Sequence, residues 1–115
     1  MDFNAFIVAW TMHDFTQLKK KLTGNGFAFS REGQSEHIRV TVPIERLEVF
    51  ASLCQAHLNE PFNYVDIQFS GQGKTAVVFQ EKTFVITSPE ENELVKQWAI
   101  GLGLPPEQAE WSTSY

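Results

Sequence analysis

The chain has 115 residues, 43% of them hydrophobic and 20% charged, with a formal net charge of −5. That length specifies one domain, and a domain of this size removes roughly two-thirds of its unfolded surface from water, enough for a core without staples. Ten Phe and three Trp argue against disorder, the acidic balance argues against phosphate-backbone and anionic-membrane binding, and a lone cysteine, Cys54, excludes an internal disulfide and favours a reducing compartment. The first residues lack the basic start and long apolar run of a signal peptide, since Asp2 and Asn4 interrupt it. No 18-residue apolar stretch follows. The expectation is a soluble, cytoplasmic protein with no membrane partner.

Phe3 to Trp10 (FNAFIVAW) is apolar at nearly every position, which predicts a strand buried on both faces. Thr11 and Asp14 offer caps for a helix carrying Phe15, Leu18 and Leu22 on one side. Lys19, Lys20 and Lys21 near its end offset the helix dipole, and Gly24-Asn25-Gly26 stops it. Phe27 to Arg31 and His37 to Val42 read as strands joined by a polar turn. In the second of these, Ile38, Val40 and Val42 alternate with His37, Arg39 and Thr41, the mark of one buried and one wet face. Pro43 or Ile44 opens a second helix with the strongest apolar stripe in the chain: Ile44, Leu47, Phe50, Leu53, Cys54 and Leu58.

Asn59-Glu60-Pro61 breaks that helix. Phe62 to Ser70 then alternates, with Val65, Ile67 and Phe69 opposed to Tyr64, Asp66 and Gln68. Gly71-Gln72-Gly73 is a turn, and Thr75 to Phe79 with Thr83 to Thr87 predicts a hairpin. Ser88-Pro89-Glu90-Glu91 combines a cap, a proline at the first helical position and a glutamate three residues after the serine. Leu94, Val95, Trp98 and Leu102 are the expected buried face of that helix. Residues 1–104 form the expected domain, and 105–115 read as a polar tail apart from Trp111.

The order strand, helix, strand occurs twice, and a hairpin and helix follow. It predicts an α+β fold, a ferredoxin-like βαββαβ sandwich with an added C-terminal β-hairpin and helix. The two halves match in pattern and hardly in identity, so the repeat is one of topology. Right-handed crossovers put both helices on one face of such a sheet. The first strand, central and apolar on both sides, would leave an apolar stripe on the other face. His37, Arg39 and Thr41 flank that stripe on one side, and Tyr64, Asp66 and Gln68 on the other. The last helix, the hairpin or a second copy of the chain could cover it.

No motif for chemistry completes itself. Gly71-Gln72-Gly73-Lys74-Thr75 has Gln68 where a phosphate-binding P-loop needs its first glycine, and a strand follows where a helix is required. The stretch GQGKTAVVF resembles the Gly-x-Gly-Lys turn and following strands of PII-type signal proteins, trimeric ferredoxin-like sensors of adenine nucleotides. RVTVPIERLEVFASL resembles their third strand running into the second helix. The resemblance implies that Lys74 contacts a phosphate. The chain departs from that family by an extra strand before the turn and by a short second-to-third-strand connection. It also lacks the family's arginines after the turn, where Val85 and Thr87 stand nearby.

The histidines are scattered, and none pairs with another His or a Cys at ligand spacing, so no metal is expected. Cys54 on an apolar stripe reads as a small hydrophobe. Glu45 with Glu48, and Glu90 with Glu91 and Glu93, read as solvated helix faces. Asp66 is the acid that stands out, placed mid-strand among apolar neighbours; an ion pair with Arg39 or a lysine is one explanation, a binding or catalytic role the other. RNA recognition on this topology needs strand aromatics where His37, Arg39 and Thr41 stand, so no nucleic-acid partner is expected.

Three readings follow. One is a non-catalytic interaction or regulatory domain, self-associating through the open sheet face or binding a protein partner. Another is a small-ligand or nucleotide sensor using the Gly71–Lys74 turn. The last is a small enzyme on the open face. Candidate ligand-binding residues are His37, Arg39, Tyr64, Asp66 and Lys74, with no catalytic residue, metal or cofactor expected.

Overall fold

Residue alternation along the strands sorts this chain into two cores, one on each side of a single sheet. The structure is a computed structural model that describes residues 2–32, 37–69, 74–109 and 111. Chain order runs β1 (Asp2–Val8), α1 (Phe15–Gly24), β2 (Ala28–Glu32), β3 (His37–Pro43), α2 (Leu47–Gln55), β4 (Tyr64–Phe69), β5 (Lys74–Phe79), β6 (Thr83–Ile86) and α3 (Pro89–Leu102). The strands lie in the order β2-β3-β1-β4-β5-β6, every neighbouring pair antiparallel. The protein is therefore a mixed α+β domain. The expected hairpin does not stand apart from the other strands: β5 pairs with β4, and β6 extends the same sheet.

On β1, Phe3, Ala5 and Ile7 are buried while Asn4, Phe6 and Val8 are half-buried. The first set joins Val40 and Val42 of β3, Val65 and Ile67 of β4, and Ala76 and Val78 of β5 beneath α1 and α2. Leu18 and Leu22 of α1 and Phe50, Ala51 and Cys54 of α2 complete this core. Helical spacing of three to four residues places each set on one side of its helix. Asp14 caps α1 by accepting a hydrogen bond from the Gln17 N–H at 3.2 Å, and does so from a left-handed backbone, φ 51°.

The second face carries its own core. Val77 and Phe79 of β5 and Ile86 of β6 pack against Val95 and Ala99 of α3, and Trp98 meets the Phe79 ring edge-on at 4.9 Å between centroids. Ser88 caps α3 by accepting from the Glu91 N–H at 3.2 Å, as its sequence predicts. Gly103, at φ +115°, ends the helix in the left-handed conformation and turns the chain back over the sheet.

Four expectations change. Ile44 does not open the second helix: it is 51% exposed in a 3₁₀ turn, Ile44–Arg46, and α2 begins at Leu47. The first strand stops at Val8 and a 3₁₀ turn, Ala9–Thr11, follows, so Trp10 leaves the sheet and is 73% exposed. Leu94 is exposed, because Asn92, Val95 and Ala99 form the buried stripe of α3 and Leu94 points about 200° round the helix from Asn92. The segment after α3 packs onto the sheet: Leu104, Ala109 and Trp111 are buried. Trp111 lies edge-on to Tyr64, and its carbonyl accepts from Asn92 Nδ2 at 3.2 Å. An aromatic in an otherwise polar stretch is what holds that segment down.

Candidate functional site

Helix α3 and the segment after it cover β4 to β6 and stop short of β1. A cleft of about 260 Å³ remains at this step. Phe6 and Val8 reach it from β1, Tyr64 and Asp66 from β4, and Leu104 and Gln108 from the segment after α3, with Trp10 at the rim. The register accounts for the convergence. Phe6 is directly opposite Asp66 on one side and Arg39 on the other, so all three side chains emerge on the second face. Trp10 is held there by its backbone: Asn59 Nδ2 donates to the Trp10 carbonyl at 2.8 Å, and Thr11 Oγ1 donates to Val8 O at 2.7 Å.

Asp66 has an unusual environment. Its Oδ1 is buried and has no hydrogen-bond partner, and Oδ2 accepts only a 3.3 Å bond from Gln68 Nε2. No cation among the described residues forms an ion pair with it. Burial pushes its carboxyl above the ordinary aspartate value, against the smaller opposing effect of the Gln68 bond. Burial likewise raises the Tyr64 phenol, and the Asp66 charge adds to the effect. The nearby Trp111 indole acts the other way, although its N–H does not reach a bonded geometry. The ion pair with Arg39 that would have made Asp66 purely structural is absent from the described contacts.

Of the residues singled out from sequence, the cleft brings together Tyr64 and Asp66. His37 stands behind it, with its ring edge-on to Trp10 at 5.3 Å. Arg39 shares the face but is exposed, on the far side of β1 from Asp66. Lys74 begins β5 opposite Phe69, at the other end of the β4–β5 pair from Tyr64. The Lys74 side chain and the Gly71-Gln72-Gly73 turn lie outside the described residues.

Trp10, Phe6, Val8, Leu104 and Gln108 were not singled out. Strand parity is the signal that could have found Phe6 and Val8, since the register puts them on the face of Asp66. Trp10 was hidden by the apolar run it ends.

Other reactive side chains are committed elsewhere. Cys54 is buried on the opposite side of the sheet, and burial pushes its thiol far up. His57 is buried too, with Nε2 2.9 Å from Lys21 Nζ and Nδ1 2.7 Å from the His13 carbonyl. Lysine can only donate, so Nε2 accepts and Nδ1–H donates; the ring ties α1 to the loop before it. Among the described residues no group of three or more His, Cys, Asp or Glu side chains could hold a metal, and no helix is long and apolar enough to cross a membrane. A second cleft, about 290 Å³, lies between α1 and the β2–β3 edge, where Phe15, Lys19, Phe29 and Arg31 line it. Comparison of the chain with protein-family models, curated proteins and solved structures returns no match.

Proposed function

We propose that this protein is a non-catalytic small-molecule-binding domain whose site is the cleft between β1, β4 and the segment after α3. The observation that carries the reading is Asp66: a carboxyl group drawn out of water on the wall of an aromatic cleft, with one oxygen left without a partner. Such a group costs stability unless something satisfies it. The cleft joins the apolar side chains of Phe6, Val8 and Leu104 to the polar groups of Thr11, Asn63, Tyr64, Asp66 and Gln108, and about 260 Å³ suits a ligand below drug size. Of the hydroxyls in the cleft, Thr11 is committed to the Val8 carbonyl at 2.7 Å and burial holds the Tyr64 phenol in its protonated form, which favours binding over chemistry.

The remaining parts of the reading rest on other observations. The order β2-β3-β1-β4, with α1 and α2 on one side, supports a ferredoxin-like unit that β5 and β6 extend. Val95, Ala99 and Trp111 pack against Val77, Phe79 and Ile86, which supports a domain that closes the β5–β6 part of this face with its own chain and leaves Phe6 and Val8 of the β1 stripe half-buried at the cleft.

The test is a fragment screen followed by amide and indole NMR shifts. Hits are expected to move Phe6, Trp10, Tyr64, Asp66 and Leu104 together. Hits that gather elsewhere, or a library with none on these residues, would refute the assignment.

A further inference from the structure

The cleft's chemistry narrows its occupant. Around the Asp66 carboxylate stand Tyr64 and Gln68 on its own strand, Phe6 on β1, and Leu104 and Gln108 on the segment after α3. Among the described residues, β3 brings His37 and Arg39 to this face, and α3, which packs on it, carries Lys96. Arg39 stands two strand spacings away, about 10 Å between backbones, beyond Phe6. Among the described residues, burial and the Gln68 bond are what act on the Asp66 carboxyl, while Phe6, Trp10 and Tyr64 line the cleft beside it. Aromatic faces are negative in their quadrupole and attract cations. An anion would meet the Asp66 charge and a net charge of −5.

We infer that the cleft binds a small organic ammonium ion, its N–H on the Asp66 carboxylate and its carbon body against Phe6, Trp10 and Tyr64. This rests on the cleft reading above. The ammonium supplies donors to a carboxylate that has only the long Gln68 bond, and rotation about the broad, two-fold χ2 of aspartate presents either oxygen. A neutral acceptor such as a carbonyl could use a protonated Asp66, but it carries no positive charge for the ring faces to attract. Binding of the two ligand types runs in opposite directions with pH, which separates them.

The experiment compares three ligands of one shape: phenethylammonium, 2-phenylethanol and 3-phenylpropionate. The Trp10 indole N–H resonance, assigned by its loss in Trp10→Phe, reports the titration, because Trp10 is 73% exposed at the rim while Trp111 is 3% exposed and Trp98 packs against Phe79 and Phe84. Phenethylammonium is expected to bind at least about tenfold more tightly than the alcohol, about 1.4 kcal/mol, and the carboxylate most weakly. Raising the pH through the ionisation of Asp66, over a range where the amine stays protonated, should strengthen ammonium binding only. In Asp66→Asn the amine-to-alcohol preference should vanish. The wild-type ligand comparison and pH series stand even if that variant does not fold. Equal binding of amine and alcohol, or a preference that survives Asp66→Asn in a folded variant, overturns the ammonium inference and leaves the cleft assignment in place. If none of the three ligands alters Trp10 at millimolar concentration, both fall.

Discussion

Trp111→Ala tests whether the segment after α3 is part of the core. The indole is 3% exposed and lies edge-on to Tyr64 at 5.4 Å and to Phe79 at 6.2 Å between ring centroids. Burying an aromatic of this size removes about 150–250 Å² from water, which at about 25 cal/mol per Å² is about 4–6 kcal/mol. That is an upper bound, because an unfolded chain already shields part of this surface. Two effects reduce it. The buried Nε1–H has no partner, so deleting it recovers about 1–3 kcal/mol of desolvation. The extended segment can also settle into part of the gap. The expected loss is about 2–4 kcal/mol, or a fall in Tm of roughly 8–16 °C at this chain length. The Asn92 bond survives, because it ends on the Trp111 backbone carbonyl. Urea unfolding followed by far-UV circular dichroism measures the change. Trp10→Ala, at an exposed site, is the control and should cost less than about 0.5 kcal/mol. A Trp111 variant as mild as that control would mean the segment contributes no packing.

Asp66 has a folded-state pKa above its unfolded one, so as pH rises the unfolded chain releases this proton first. Stability should therefore fall between the ordinary aspartate value of about 3.9 and the raised folded value. Asp66→Asn should remove that fall and be more stable than wild type at neutral pH; parallel wild-type and variant profiles across the window would refute it. Cys54 is buried and its thiol is pushed far up, so a disulfide reagent should label it only through unfolding. Labelling at the same rate in native buffer and in denaturant would contradict that. His57→Ala should cost about 1–3 kcal/mol, losing the two hydrogen bonds of a buried ring; a loss under about 0.5 kcal/mol, read in the same urea assay, would show the bridge to be incidental.

Element order, caps and strand faces were legible in the sequence because each depends on neighbours a few residues apart. The Ser88 cap and the alternation of Ile38, Val40 and Val42 are local features, and both appear as read. What escaped were facts set by distant partners. The exposure of Trp10 depends on the 3₁₀ turn that Asn59, far along the chain, helps to hold. The burial of Trp111 depends on Tyr64 and Phe79 offering ring edges across the sheet. Asp66 stood out because an acid among apolar strand residues is locally anomalous. That its Oδ1 is left without a hydrogen-bond partner was not legible, since that depends on which side chains the register brings beside it.

The offset between the two helical layers bears on how the protein comes apart. The α1–α2 core and the α3 core lie on opposite sides of the sheet and share little besides β4 and β5. Strand β5 sends Ala76 and Val78 into one core and Val77 and Phe79 into the other. Cooperative unfolding must therefore pass through β4 and β5, with β5 buried in both cores. Weakening packing at Val77 or Phe79 should release β6 and α3 as a separate opening unit while β1 to β4 stay closed. In native-state hydrogen exchange, the amides of α3 would then open at lower free energy than those of β1 and β3, and the single transition would divide into two.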